Sequence, residues 1–185
     1  MEFTLYYRGS LKANGSPVDK HALRQHFHGQ MKKLWGQRPL VAFRKFASII
    51  PEPSSLSVLR RVGPFAFVPL VCEEVHLIAE LEVTLLTPEA PGAIISQGGD
   101  IDNRLKTLFD ALRTPADAAE LPSGATPANE ENPFFCLLSD DKLITKVSVA
   151  TAQFLEPSAD PREVVLLVRV NTKQLQVLMG TIGLV

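Results

Sequence analysis

The stretch VHLIAELEVTLLT, residues 75–87, alternates apolar and polar side chains over most of its length. Leucine, alanine and valine occupy the odd positions from 77 to 83, whereas His76, Glu80 and Glu82 occupy even positions. A period of two is typical of a strand that buries one face. The stretch therefore predicts a strand packed on a hydrophobic core.

Similar segments lie on both sides of this strand. They are FTLYYR (3–8), PFAFVPLV (64–71), KLITKVSVATAQF (142–154) and EVVLLVRV (163–170). Helical patterns separate them, and a short terminal helix capped by Asn171 is predicted after the last one. Hairpin-type antiparallel pairing suits this order better than repeated crossovers. The sequence predicts an α+β fold, in which a mixed β-sheet is packed with helices.

A helix is predicted after Ser16, which serves as its N-cap and is followed by Pro17 and Asp19, and Gly36 is its stop signal. Four basic or titratable residues recur along one side of this helix at four-residue spacing: Lys20, Arg24, His28 and Lys32. Two interpretations remain open at this point. The row is either a solvated face or a surface that contacts DNA.

The charges are distributed unevenly along the chain. Its 185 residues carry a net charge of −1, but residues 1–61 carry +8 and residues 62–185 carry −9. Such asymmetry suits a protein that binds phosphates with one region and concentrates carboxylates in another, although folding also mixes charges in space. Length and composition, with 45% hydrophobic residues, predict one domain over residues 1–185.

Two further expectations concern the environment of the protein. Cys72 and Cys136 lie in apolar surroundings without metal-ligand spacing, which favours buried free thiols in a reducing compartment. The sequence has no secretory signal pattern and no apolar run long enough to cross a bilayer. A cytoplasmic protein without a membrane partner is expected.

The run GGDIDNRLKTLFDAL, residues 98–112, places Asp100 and Asp102 one residue apart at the start of an amphipathic helix, with Lys106 one turn further on. A helix N-terminus favours one acid, and this explains Asp102. It does not explain Asp100, because two adjacent like charges repel unless a cation offsets them.

A second acidic pair, Asp140 and Asp141, follows the apolar run FFCLL at residues 134–138. Taken singly, Ser-Asp-Asp is ordinary turn chemistry between two strands. Taken together, the two pairs could form an oxygen-ligand site for Mg²⁺ that supports phosphodiester hydrolysis. Lys106 would then contact a phosphate.

The two motifs together resemble the signature of the RusA family of Holliday junction resolvases. The matching residues are Asp100, Asp102, Asn103, Lys106, Phe109, Asp110, Ala111, Leu112, Asp140 and Asp141. The resemblance implies that Asp100, Asp102 and Asp141 bind the metal and are catalytic together with Lys106, with Asn103 and Asp140 in support. It also implies a RusA-like homodimer of bacterial or phage origin that uses Mg²⁺, or Mn²⁺ as a substitute, to nick four-way DNA junctions.

The chain also departs from this family pattern. Residues 114–135 form a long loop insertion, and Gln97, Gly98 and Gly99 stand where resolvases often have basic residues. The DNA contacts are instead predicted at Lys20, Arg24, Lys32 and Arg104. Two other functions stay open: a non-catalytic protein that binds branched DNA with the same fold, and an interaction module whose acids serve only as caps and turns.

Overall fold

The computed structural model describes residues 1–49, 56–88, 101–156 and 163–184. Its mixed α+β content confirms the predicted class. The α-helices in these ranges are α1 (Pro17–Trp35) and α2 (Ile101–Leu112). The strands are β1 (Glu2–Ser10), β2 (Arg60–Val62), β3 (Phe65–Val71), β4 (Leu77–Thr87), β5 (Phe134–Leu138), β6 (Ile144–Gln153) and β7 (Glu163–Gln174).

The strands of the described ranges form two sheets. The first has the order β1-β7-β4-β6 and the second the order β2-β3-β5. In the first sheet β7 runs antiparallel to β1 and β4, so β1 and β4 end at the same side. We call that side the carboxyl end of the sheet, and the side where β4 and β6 start its amino end.

Two strand pairs, β4 with β6 and β3 with β5, are parallel. The expectation of hairpin-type pairing is therefore wrong for these pairs. Parallel pairing requires a crossover that returns the chain to the starting end, and in both cases the chain that includes α2 provides it.

The alternation that predicted β4 is confirmed, because its odd-numbered residues from Leu77 to Thr87 are buried. Both helices contribute to the core beneath them. The buried helical side chains include Leu23, Phe27 and Met31 of α1 and Leu108, Ala111 and Leu112 of α2. Burial of this apolar surface is the main stabilising term for the fold.

The predicted start of α1 is confirmed in detail. The hydroxyl of Ser16 accepts the Asp19 backbone N–H at 3.3 Å, and the Asp19 carboxylate accepts the Ser16 N–H at 3.0 Å. Hydrogen bonding to Lys12, together with the bonds from Ser16, lowers the pKa of Asp19 to about 2. The helix ends before Gly36, as predicted.

The predicted loop insertion, residues 114–135, is not a loop throughout: Phe134 and Phe135 belong to β5, and Ala118–Glu120 and Asn129–Glu131 form 3-10 turns. The rest of this segment, which we call the insertion, packs against the second sheet. Its Leu121 joins a small apolar cluster with Phe65, Phe67, Phe134 and Cys136. Both cysteines are buried free thiols, as predicted. Burial raises the pKa of Cys72 to about 12 and that of Cys136 to about 11, which keeps both protonated at neutral pH.

The C-terminal helix predicted after Asn171 is wrong. β7 continues to Gln174, and Asn171 pairs with Glu2 on one side and with Glu80 on the other. Two neighbouring strands supply hydrogen-bond partners that outweigh the local preference for a cap. Beyond β7 a single 3-10 turn, Met179–Thr181, is present.

Within the described ranges, neither helix combines the length and apolar character that a membrane crossing requires.

Replacement of Leu108 by alanine should lower the free energy of unfolding by about 2–5 kcal/mol, because Leu108 of α2 is fully buried in the main hydrophobic core and the truncation leaves a cavity. Urea denaturation followed by circular dichroism measures the change. Val18→Ala is the control, because Val18 is 61% exposed. Equal effects of the two substitutions would contradict this packing.

Candidate catalytic site

Asp102 and Lys106 lie on the exposed side of the first two turns of α2. The Asp102 carboxylate accepts the backbone N–H of Asn103 at 2.8 Å, which agrees with an acid that stabilises a helix start. Asn103 is half-buried, and its carbonyl accepts the Thr107 hydroxyl at 3.1 Å. Asp100 lies outside the described residues.

Gly15 fixes the position of this half of α2. Its backbone N–H donates to the Thr107 hydroxyl at 2.9 Å. A Cβ at position 15 would lie 2.7 Å from Cγ2 of Thr107, so a larger residue would force the two segments apart. The turn before α1 follows β1, which ends at the carboxyl end of the first sheet. The Asp102 end of α2 is therefore directed toward that end.

The second acidic pair lies at the amino end of the first sheet. β5 leads into Ser139, whose N–H donates to Val71 O at 2.9 Å. Asp140 accepts the Lys142 N–H at 3.0 Å and thereby caps the 3-10 turn that starts at Asp141. Asp141 is exposed and borders a pocket of about 170 Å³ with Arg113 and Thr114.

The two acidic segments lie at opposite ends of α2. The Asp141 pocket adjoins Arg113 and Thr114, directly after the last turn of the helix, whereas Asp102 is in its first turn. Because an α-helix rises about 1.5 Å per residue, Asp102 and Leu112 lie about 15 Å apart along the helix axis. Among the described residues, which exclude Asp100, no group of three His, Cys, Asp or Glu side chains could hold a metal ion. One copy of the chain does not bring Asp102 and Asp141 together.

Asp110, the remaining acid of the helix motif, has a structural role. Its carboxylate pairs with Lys20 at 2.7 Å and with Arg113 at 2.8 Å. Burial pushes its pKa upward, but the bonds to Lys20 and Arg113 outweigh burial and hold the pKa of Asp110 below its ordinary value. Asp110 thus stabilises the packing of α1 on α2.

The basic row of α1 is buried at its centre, at Arg24 and His28. Arg24 is 1% exposed, and its guanidinium donates to Asp110 O at 2.8 Å and to Arg113 O at 3.3 Å. Burial lowers the pKa of Arg24 to about 10, so the side chain stays charged at neutral pH. The prediction that Arg24 contacts DNA is corrected by this burial, because its donors are used inside the protein.

The other members of the row also hold the chain together. Lys20 pairs with Asp110, and the Lys32 ammonium donates to Glu130 O at 2.6 Å. Arg104, in α2, is half-buried. The row is therefore a seam that joins α1 to α2 and to the insertion. The DNA contacts predicted at Lys20, Lys32 and Arg104 stay predictions.

His28 is the best-defined contact of this seam. The Phe135 N–H donates to Nδ1 at 2.8 Å, which leaves the proton on Nε2 to donate to Glu130 O at 3.0 Å. Burial lowers the pKa of His28, and this favours the neutral ring that the two hydrogen bonds require.

The sequence did not single out Arg113 as a member of the site. Arg113 borders the Asp141 pocket and pairs with Asp110 and Glu120. Helical spacing from Asn103 and Lys106 predicts that Arg113 follows the polar side of α2. Spacing within one segment cannot predict that residue 113 lies near residue 141, because the two residues belong to different segments. The insertion contributes Ala116 to the same pocket.

Comparison of the chain with protein-family models, with curated proteins and with solved structures gives no match.

Replacement of Arg24 by methionine should lower the free energy of unfolding by about 1–3 kcal/mol, because two buried carbonyls lose their donor. Lys33→Met introduces the same side chain at an exposed position of the same helix and should change the stability by less than about 0.5 kcal/mol. If both variants unfold at the same urea concentration, the seam does not depend on Arg24.

Acidification should destabilise the protein through His28. In the unfolded chain the ring titrates near 6.5, whereas burial lowers its pKa in the folded state. The unfolded state therefore binds more protons as the pH falls through 6.5, and stability decreases toward the folded pKa. Urea denaturation from pH 7.5 to pH 5 measures this slope.

The variant His28→Gln should reduce that slope, because it removes one group whose protonation favours unfolding. His26→Gln, on the exposed side of α1, is the matched control. A slope that is the same in all three proteins would exclude His28 as its source.

Proposed function

We propose that the protein is a Mg²⁺-dependent endonuclease that nicks four-way junctions or related branched DNA and acts as a homodimer. The observation that carries the proposal is that some charged residues of the two motifs stabilise the fold and others do not. Asp110 and Asp140 stabilise the fold, whereas Asp102, Lys106 and Asp141 are exposed, and among the described residues none forms an ion pair with them.

This division separates structural charges from functional ones. A charge used for folding is compensated by a neighbour, as Asp110 is by Lys20 and Arg113. Asp102 gains about 0.3–1 kcal/mol from the helix start, and neither Lys106 nor Asp141 has an ion-pair partner among the described residues. The three exposed residues coincide with those to which the RusA resemblance assigns metal binding and catalysis, and Asp100, outside the described residues, would be the fourth.

The separation of Asp102 from Asp141 favours a site shared between two copies. β6 is an edge strand of the first sheet, and eight of its ten residues are exposed. Antiparallel pairing of two β6 strands about a twofold axis would bring the amino end of one sheet beside the carboxyl end of the other. Asp141 of one copy would then approach the end that carries Asp102 of the second copy.

The residues fit the chemistry of a hard cation. Carboxylate oxygens are the ligands that Mg²⁺ prefers, and Asp100 and Asp102 of one copy with Asp141 of the other would hold it. When bound, the metal supplies charge neutralisation and an activated water for phosphodiester hydrolysis. Lys106, one helical turn from Asp102, would hold a phosphate oxygen.

Cleavage of a labelled synthetic four-way junction in the presence of Mg²⁺ tests the activity. Asp102→Asn and Asp141→Asn should each reduce the rate at least about a hundredfold, because each removes a metal-binding carboxylate. Asp117→Asn is the matched control: Asp117 is exposed in the insertion, and asparagine can keep its bond to the Ala119 N–H. A parent protein that binds the junction without cutting it in Mg²⁺ or Mn²⁺ would contradict the proposal and favour the non-catalytic function.

Mixing the two inactive variants tests the shared site. A mixed dimer of Asp102→Asn and Asp141→Asn chains would contain one doubly substituted centre and one intact centre, so cleavage should recover after subunit exchange. If each centre lay within one copy, every centre of the mixed dimer would be damaged. Absence of recovery, with exchange verified by co-purification of two tags, would exclude the shared site and leave the nuclease proposal intact.

A further inference from the structure

A groove with an apolar floor is formed by residues 38–43 and 182–183, which belong to neither acidic motif. It runs between the 3-10 helix Leu40–Ala47 and the C-terminal segment and encloses about 480 Å³. Val41, Phe43 and Ile182 supply its large apolar side chains, and Arg38 supplies its charge. We call it the Arg38 groove.

The C-terminal segment beside this groove is held in place. The Thr181 hydroxyl accepts the Leu178 N–H at 3.1 Å and the side-chain amide of Gln174 at 2.6 Å. Leu184, near its end, is buried in the core at 2% exposure. The segment nevertheless exposes four large apolar side chains by 64–93%: Leu175, Val177, Met179 and Ile182. Large apolar side chains exposed along one short, fixed segment indicate an interaction surface.

Among the described residues that line the groove Arg38 alone is charged, and the charged residues that follow it on the 3-10 helix are also basic. Residues 38–49 contain Arg38, Arg44 and Lys45 and no acid, and residues 175–184 contain no charged residue. Among the described residues none forms an ion pair with these three cations, in contrast to Lys12, which pairs with Asp19, and Lys20, which pairs with Asp110. The groove therefore combines an apolar floor with positive charge that the described residues leave uncompensated.

We propose that the Arg38 groove binds a short acidic segment of a partner protein that carries a large apolar side chain. The apolar side chain would occupy the floor lined by Val41, Phe43 and Ile182, and the acidic residues would pair with Arg38 and its neighbouring cations. A nucleic acid is a poorer occupant, because phosphates over an apolar floor would lose water without gaining donors. This inference does not depend on the nuclease activity and would give the protein a means of recruitment.

Fluorescence anisotropy with a labelled synthetic peptide tests the proposal. The probe has four aspartates followed by leucine and phenylalanine, and it should bind the full chain saturably and more weakly at high salt. A peptide with lysines for the aspartates and one with serines for the two apolar residues should not bind. If all three bind alike, or none binds, the proposal is wrong.

Two surface variants locate the site. Arg38→Glu and Ile182→Glu should each weaken binding of the aspartate peptide about tenfold or more, because each places an acid against an acidic ligand. Lys33→Glu and Val18→Glu are matched controls at exposed positions of α1 and should bind as the parent does. Unchanged unfolding curves verify that all four variants fold.

Two other occupants are distinguished by the same variants. If Arg38→Glu and Ile182→Glu abolish self-association in analytical ultracentrifugation, the groove is an interface between copies and the peptide proposal is overturned. If they abolish binding to vesicles of anionic lipid while the peptide does not compete, a membrane surface is the occupant and the proposal is likewise overturned.

Discussion

The buried guanidinium of Arg24 is the interaction on which the arrangement of the two helices depends. Burial of a cation is unfavourable unless hydrogen bonds compensate it, and Arg24 donates to Asp110 O in the last turn of α2 and to Arg113 O directly after it. The carboxyl end of a helix carries partial negative charge, which favours a cation there. This contact holds the end of α2 beside α1 and near the end of β5, and it thereby determines that Asp102 lies away from Asp141.

The seam along α1 also explains the uneven charge distribution of the sequence. The N-terminal third carries +8 and the remainder −9, but folding pairs cations of the first region with acids or carbonyls of the second. Arg8 pairs with Glu156 and Glu163 in the same way. Much of the N-terminal charge therefore serves the fold, and charge segregation along a chain does not by itself indicate a DNA-binding surface.

The charges that the seam does not use are more informative about function. Asp102, Lys106 and Asp141 are exposed; Asp102 and Lys106 lie in the first two turns of α2, and Asp141 starts the short turn that precedes β6. Eight residues of β6 are exposed, and among the described residues no strand pairs with its outer edge; proteins commonly cover such an edge by association. The same edge that would complete a shared acidic centre is thus the one that a second copy could cover.

Signals that act over a few residues were sufficient to predict several elements. The Ser16 capping box, the alternation in β4 and the apolar face of α2 each depend on hydrogen bonds or periodicity within one segment, and each is confirmed. The motif also placed Asp102 and Lys106 correctly on the exposed start of a helix. These features could be predicted because neighbouring residues alone define them.

The remaining features depend on residues distant in the chain, and only the folded structure determined them. Arg24 and Asp110 are 86 positions apart, and no local pattern distinguishes an inward-facing basic row from a solvated one. The parallel pairs, the extension of β7 through Asn171 and the separation of the two acidic segments likewise follow from which strands become neighbours. That choice is made by burial of the whole core, because backbone groups and side chains are stabilised by partners that the local sequence does not contain.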